Sequence, residues 1–244
     1  MKNDEAAVKA AERGTEFMKI LLINGSPKRE QSDTMRLTRA FLGGMRGVLP
    51  VEVQTICPID RTIEPCRGCF ACMRGGRCVC QDDMKQILAD ILSSDLLLFS
   101  FSLYCYGMPA PLKGLIDRTL PLNRMEMQKN GDRYEHTAQT DYSRLHYAMI
   151  CGCGFPNAQY NFEAVTMQFR LMFGADCLML TVPEAPMFNA PEAAPVTKPF
   201  LETVRQAGRA YAADGTVEAE TMAKLAVPMI PEAVYARICS GQPV

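Results

Sequence analysis

The sequence predicts an α/β protein built on one five-stranded parallel sheet with helices covering both faces. Apolar runs such as Ile20 to Ile23 and Leu96 to Ser100 are continuous rather than alternating, the pattern of strands buried on both faces. Five strand-like runs alternate with stretches of helical period, which implies parallel pairing through crossover helices. Ligands of such sheets bind outside the C-terminal strand ends, and the three unusual loops of this chain follow strands one, three and four, at those ends.

Residues 1–17, charged and alanine-rich, read as a short helical extension ahead of the domain. Ile20 to Ile23 is the first strand, broken by the turn chemistry of Asn24-Gly25-Ser26-Pro27. Ser32-Asp33-Thr34 then offers the N-cap of a helix whose Met35, Leu37, Phe41, Leu42 and Met45 suit helical spacing. Val51 to Ile56 alternates as a second strand. After a cysteine-rich loop from Ile63 to Gln81, Asp82-Asp83 caps a helix from Met84 to Ser93 that turns Ile87, Leu88 and Ile91 inward. Leu96 to Ser100 is the third strand, and Pro109 to Leu120 a helix. Asn123 to Arg144 is long, polar and without a clear period, so it reads as a structureless insertion serving as interface or lid. His146 to Cys151 is the fourth strand, Phe162 to Phe173 a helix, Cys177 to Val182 the fifth strand and Val196 to Ala213 the closing helix. The domain thus covers residues 18–214, and the proline-containing tail, 215–244, is expected to pack on the body or on a partner.

With 48% hydrophobic and 22% charged residues the composition is that of a globular protein. A net charge of -1 gives no electrostatic case for nucleic acid or an anionic membrane. The longest uncharged run, Leu96 to Leu112, is interrupted by Ser100, Ser102, Gly107, Pro109 and Pro111, as a strand and loop rather than a bilayer span. Met1 to Glu16 holds no apolar leader stretch, so the expected location is the cytoplasm. There the eleven cysteines stay reduced, and metal or redox roles outrank disulfides.

The first loop has the makings of an anion site. Its amides and the helix N-terminus aim at one spot, where the helix dipole favours negative charge. Ser26, Ser32 and Thr34 add hydroxyls and Lys28 a cation. The loop lacks both the G-x-x-x-x-G-K-[ST] and the G-x-G-x-x-G pattern, which leaves a terminal monophosphate such as that of FMN. An ordinary strand–turn–helix gives the same sequence. The loop Ser102 to Pro109 carries Tyr104, Tyr106 and Gly107, suited to pack on a flat ring and to offer amides to its edge; core tyrosines are the plainer alternative. Gly152 and Gly154 let the loop after strand four approach that ring closely, or simply form a turn.

Cys66-Arg67-Gly68-Cys69-Phe70-Ala71-Cys72 with Cys78 spells C-x2-C-x2-C-x5-C, and Cys80 follows. Three thiolates at this spacing can wrap one cubane, whereas zinc sites set their cysteine pairs further apart; metal-free cysteines are the third reading. Cys57, Cys105, Cys151, Cys153, Cys177 and Cys239 are scattered, mostly in apolar runs, and read as packing. His136 and His146 have no acid or thiol pattern beside them and are assigned to loop or core.

Ile20 to Thr34, with Leu103-Tyr104-Cys105-Tyr106-Gly107-Met108-Pro109-Ala110-Pro111-Leu112-Lys113 and Ile116-Asp117-Arg118, resembles the NADPH-dependent FMN reductase family of flavodoxin-like proteins. The cysteine loop resembles its iron–sulfur flavoprotein branch, and the similarity runs from Met18 to Ala213. The resemblance implies a flavodoxin-like, doubly wound sheet of order 2-1-3-4-5, with FMN phosphate on Ser26, Lys28, Asp33 and Thr34. It implies ring contacts from Leu103, Tyr104, Tyr106, Gly107 and Met108, with Cys105 in the same turn, and from Gly152, Gly154 and Phe155. It points to a [4Fe-4S] cluster on Cys66, Cys69, Cys72 and Cys78. The chain departs from the family's usual residues at Asp33, Ser102 and Cys105.

The implied function is that of an FMN-dependent oxidoreductase. NAD(P)H is the co-substrate, and the acceptor is a quinone, a nitro or azo compound, free flavin or a protein; a homodimer or homotetramer is implied too. No side-chain acid, base or nucleophile is required, which fits the absence of a triad. The alternative is an iron–sulfur flavoprotein relaying single electrons between protein partners. A third reading, a non-redox receiver domain, needs an acidic pair where the chain has Asn24-Gly25.

Overall fold

The computed structural model describes residues 17–242, so the expected N-terminal helix lies outside the described residues. In chain order come β1 (Met18–Asn24), α1 (Asp33–Arg46), β2 (Val51–Ile56), the short α2 (Ala71–Gly75), α3 (Met84–Ser93) and β3 (Leu96–Ser102). α4 (Ala110–Asp117), β4 (Asn123–Asn130), β5 (Arg133–Ala138), β6 (His146–Gly152), α5 (Glu163–Phe173) and β7 (Leu178–Val182) follow. α6 (Ala194–Asp214), α7 (Ala219–Ala226) and α8 (Glu232–Cys239) complete the chain.

Five strands pair in parallel in the order β2-β1-β3-β6-β7, which is 2-1-3-4-5 when the core strands are numbered alone. The continuous apolar runs follow from burial on both sides. Ile20 and Leu22 of β1 pack with Leu37 and Phe41 of α1, Val204 of α6 and Leu225 of α7. Leu21 and Ile23 face the opposite way, towards Ile87 of α3, Leu115 of α4 and Phe169 of α5. On the first of these faces α1 and α6 touch backbone to backbone. A Cβ at Gly44 would stand 2.0 Å from the Arg205 carbonyl oxygen, and one at Gly208 2.0 Å from that of Phe41. Only glycine fits at that crossing.

The sequence reading needs correction in two places. Residues 123–144 are not structureless: β4 and β5 form an antiparallel hairpin closed by Gly131 (φ 59°) and Asp132, with Asn130 opposite Arg133. Its strands are polar and largely exposed, so they lack the alternation that marks a half-buried strand. Asp82-Asp83 does more than begin α3. The Asp83 carboxylate accepts the Thr62 N–H at 2.8 Å and that of Asp82 the Glu64 N–H at 2.9 Å, pinning the start of the cysteine loop.

Candidate functional site

Order 2-1-3-4-5 reverses direction between β1 and β3, where doubly wound sheets take their ligands. The loops meet there. The Gly25 N–H donates to the Ser100 carbonyl (2.8 Å), that of Leu103 to Gly152 (2.8 Å) and that of Cys153 to Val182 (3.0 Å). A Cβ at Gly152 would stand 2.6 Å from the Ala185 Cβ and 3.1 Å from Thr34 Cγ2. Gly152 therefore lets the β6 end sit between α1 and the loop after β7, a role in packing that the sequence reading had not assigned. Gly154, by contrast, is exposed and open.

At the α1 N-terminus Ser26, Ser32, Asp33 and Thr34 are all buried. The Ser32 hydroxyl caps the helix by accepting the Met35 N–H (3.3 Å) and lies 2.6 Å from the Thr34 hydroxyl. One hydrogen closes that contact, which leaves the other for a ligand. Ser26 Oγ accepts the Lys28 N–H at 3.3 Å and keeps its own hydrogen. Lys28 is exposed and pairs with Asp33 at 3.2 Å. Two asparagines complete the cradle, both missed in the sequence. Asn24 Oδ1 accepts the Ser26 N–H (3.1 Å), while its buried Nδ2 has no partner. Asn189 donates to Asp33 Oδ1 (2.6 Å) and to the Gln31 carbonyl (2.8 Å), fixing the loop from the far end of the chain. An orphaned donor, spare hydroxyl hydrogens and a helix N-terminus suit a phosphate monoester, so the residues present fit the phosphate end of FMN.

The loop after β3 is a two-residue turn, closed by Tyr104 and Gly107, each N–H on the other's carbonyl at 3.0 Å. Its central residues, Cys105 (φ 49°) and Tyr106 (φ 62°), are both left-handed without being glycine. Such a turn normally takes Asn-Gly, so the backbone carries strain that lifts Tyr104, Cys105 and Tyr106 to the surface. The Tyr106 ring lies parallel to that of Phe155, with centroids 5.9 Å apart and planes 7° from coincidence. Leu103 and Met108 are half-buried under the turn. Of the expected ring contacts, the structure thus sets Tyr106 and Phe155, one from each loop, side by side as partly exposed aromatics.

The cysteine loop is pinned and open. Arg118 of the loop after α4 is buried and donates through Nη1 and Nη2 to both Asp82 oxygens, at 2.6 and 3.0 Å. It also donates to the Glu64 carbonyl (2.5 Å) and to Cys78 Sγ (3.4 Å). Burial raises the Cys78 thiol, but the Cys80 amide and the Arg118 guanidinium outweigh it and hold the thiol below its ordinary value. Cys66 and Cys69 face solvent and Cys72 is buried. Among the described residues no three Cys, His, Asp or Glu side chains stand close enough together to hold a metal ion. The four cysteines are thus not gathered into a metal site here, although Cys72 lies within electrostatic reach of Cys66 and Cys78. Of the scattered cysteines, Cys151, Cys153 and Cys177 are buried as expected for packing, whereas Cys105 and Cys239 are exposed. His136 and His146, expected in loop or core, stand exposed in β5 and at the start of β6.

Fold and site together define a doubly wound α/β protein with its candidate site at the β1/β3 switch. The chain belongs to the family described as having the flavodoxin-like fold, whose model matches residues 18–175. An iron-sulfur flavoprotein of Methanocaldococcus jannaschii is 29% identical over 158 residues, 59% of this chain and 80% of that protein. The iron-sulfur flavoprotein of Methanosarcina thermophila is 32% identical over 108 residues, 44% of this chain. There the match spans only about half of the relative, 55% of its length. Among solved structures, an NAD(P)H:quinone oxidoreductase from Methanothermobacter marburgensis superposes with a TM-score of 0.57 at 19% identity. That match covers 79% of this chain and 98% of the neighbour, a likeness of fold alone. Among the described residues no helix is long and apolar enough to cross a membrane.

Proposed function

We propose that the chain is an FMN-dependent oxidoreductase. NAD(P)H is its reductant, and a quinone, a nitro or azo compound, free flavin or a protein is its acceptor. The observation that carries this is the meeting of the hydroxyl-lined α1 N-terminus with the strained tyrosine turn and Phe155 at the switch point. The names of the relatives, which are flavoproteins, and of the neighbour, which uses NAD(P)H, lend support. Bound FMN would supply hydride acceptance from the nucleotide and electron delivery to the acceptor. The chain's own part is to bind and orient. Asn24, Ser26, Ser32 and Thr34 hold the phosphate, while Lys28 stays on Asp33 and tempers that carboxylate's repulsion of it. Tyr104, Tyr106 and Phe155 would flank the ring, and amides of the loops after β3 and β6 would serve its edge.

We place the protein in the cytoplasm, where its eleven unpaired cysteines stay reduced. A homodimer or homotetramer through the exposed β4–β5 hairpin completes the reading. The second reading, a carrier of single electrons between protein partners, draws on the run Cys66, Cys69, Cys72, Cys78 and on the relatives' names. It requires the loop to close around iron, so anaerobic reconstitution with iron and sulfide followed by EPR decides it. For the main proposal, anaerobic addition of NADPH or NADH to the FMN-loaded chain bleaches the flavin band, and a quinone restores it. Protein that stays colourless after FMN addition overturns the proposal.

A further inference from the structure

Behind the loops after β6 and β7 lie ionisable side chains that the flavin reading leaves unused. Glu184 is fully buried and sits in left-handed backbone (φ 54°). Its N–H donates to the Phe155 carbonyl and the next N–H, of Ala185, to that of Cys153, both at 2.9 Å. The side chain reaches the C-terminal segment: Oε2 accepts the Met229 N–H at 2.5 Å, between α7 and α8, while Oε1 makes no well-formed hydrogen bond and has the Ile230 amide nearby. The hydroxyl of Tyr235 on α8 is also buried and unpartnered. Among the described residues no cation pairs with Glu184, whereas the buried Asp33 has Lys28 and Asp82 has Arg118. The groups around it are acids or neutral: Cys153 from the loop after β6, and Glu232 and Tyr235 from α8, with Cys239 beyond Tyr235.

We propose that Glu184 is a positioning residue for the flavin pocket: as a neutral acid it fastens the segment around Met229 to the loop carrying Phe155, and ionising it releases both. The inference rests on the reading of Phe155 as a ring contact. A lone carboxylate with no cation is poorly tolerated in such an interior, so the neutral form is the one that stays docked. Burial is the main influence on the carboxyl and raises it; the Met229 and Ile230 amides oppose this and Glu232 adds to it. On ionisation the proton passes to solvent as the segment lifts and the carboxylate is hydrated.

The test uses the full chain, following both the protection of the Met229 amide against hydrogen exchange and FMN affinity across a pH series from acidic to alkaline. In the unsubstituted protein both fall together, affinity by about tenfold, as pH rises. Glu184→Gln keeps an acceptor for the Met229 N–H and cannot ionise, so it holds the low-pH values throughout. Glu184→Ala loses the protection and binds FMN about tenfold more weakly at every pH. A Glu184→Gln protein that keeps the original pH dependence overturns the proposal. So does unchanged Met229 protection in Glu184→Ala. Should the unsubstituted chain bind no FMN at any pH, the flavin reading falls, and Met229 protection alone decides whether Glu184 is the fastening.

Discussion

Arg118 and Asp82 have side chains exposed to only 2% and 1%, and together they join the end of α4 to the cysteine loop. Burying two charges is costly, and their attraction offsets that cost only while both are present. Arg118→Met, which leaves Asp82 charged and unpaired, is expected to destabilise the fold by about 3–5 kcal/mol, read from urea unfolding. Burial alone would raise the Asp82 carboxyl. The Arg118 hydrogen bonds and the Glu64 and Met84 amides outweigh it and hold the carboxyl below the usual range. A carboxyl lowered by folding stabilises the protein above its unfolded pKa, and that stability is lost as pH falls through the lowered value. In Arg118→Met the carboxyl loses its main lowering partner, so less stability is lost at this site as pH falls, and the gap between the variant and the unsubstituted protein should narrow in acid. At this scale the sequence was partly legible. Ser26, Ser32 and Thr34 could be read because a hydroxyl beside a helix start acts locally. Asn189, 156 positions from Asp33, and Arg118 on Asp82 could not, since no local pattern signals so distant a partner.

Helices and strands buried in the sheet were the most readable elements, because two-sided burial writes itself as an unbroken apolar run. The β4–β5 hairpin was not, since its strands are polar and largely exposed; only the Gly131-Asp132 turn signal was available to find it. Contact between α1 and α6 was equally hidden, because nothing local marks Gly44 and Gly208 as the place where the helices touch. Gly208→Ala drives a methyl into the Phe41 carbonyl, so the helices must part. A loss of about 1–3 kcal/mol or more is expected, visible as a lower melting temperature. Glycine restored by reversion should recover it.

For the whole molecule the account rests on loops from four strands converging on one end of the sheet, with the C-terminal segment fastened behind them through Glu184. The cysteine run belongs to a different scale of legibility. Its spacing was plain in the sequence, yet spacing fixes only what a loop can reach, and here Arg118 holds Cys78 while Cys66 and Cys69 face water. The central claim is that the α1 N-terminus grips a phosphate monoester. It is tested most directly by titrating the same protein with FMN and with riboflavin, which differ only in that group. Charge-assisted hydrogen bonds of roughly 1.5–3 kcal/mol each predict that FMN binds at least about 100-fold more tightly. Equal affinity for the two would contradict the account.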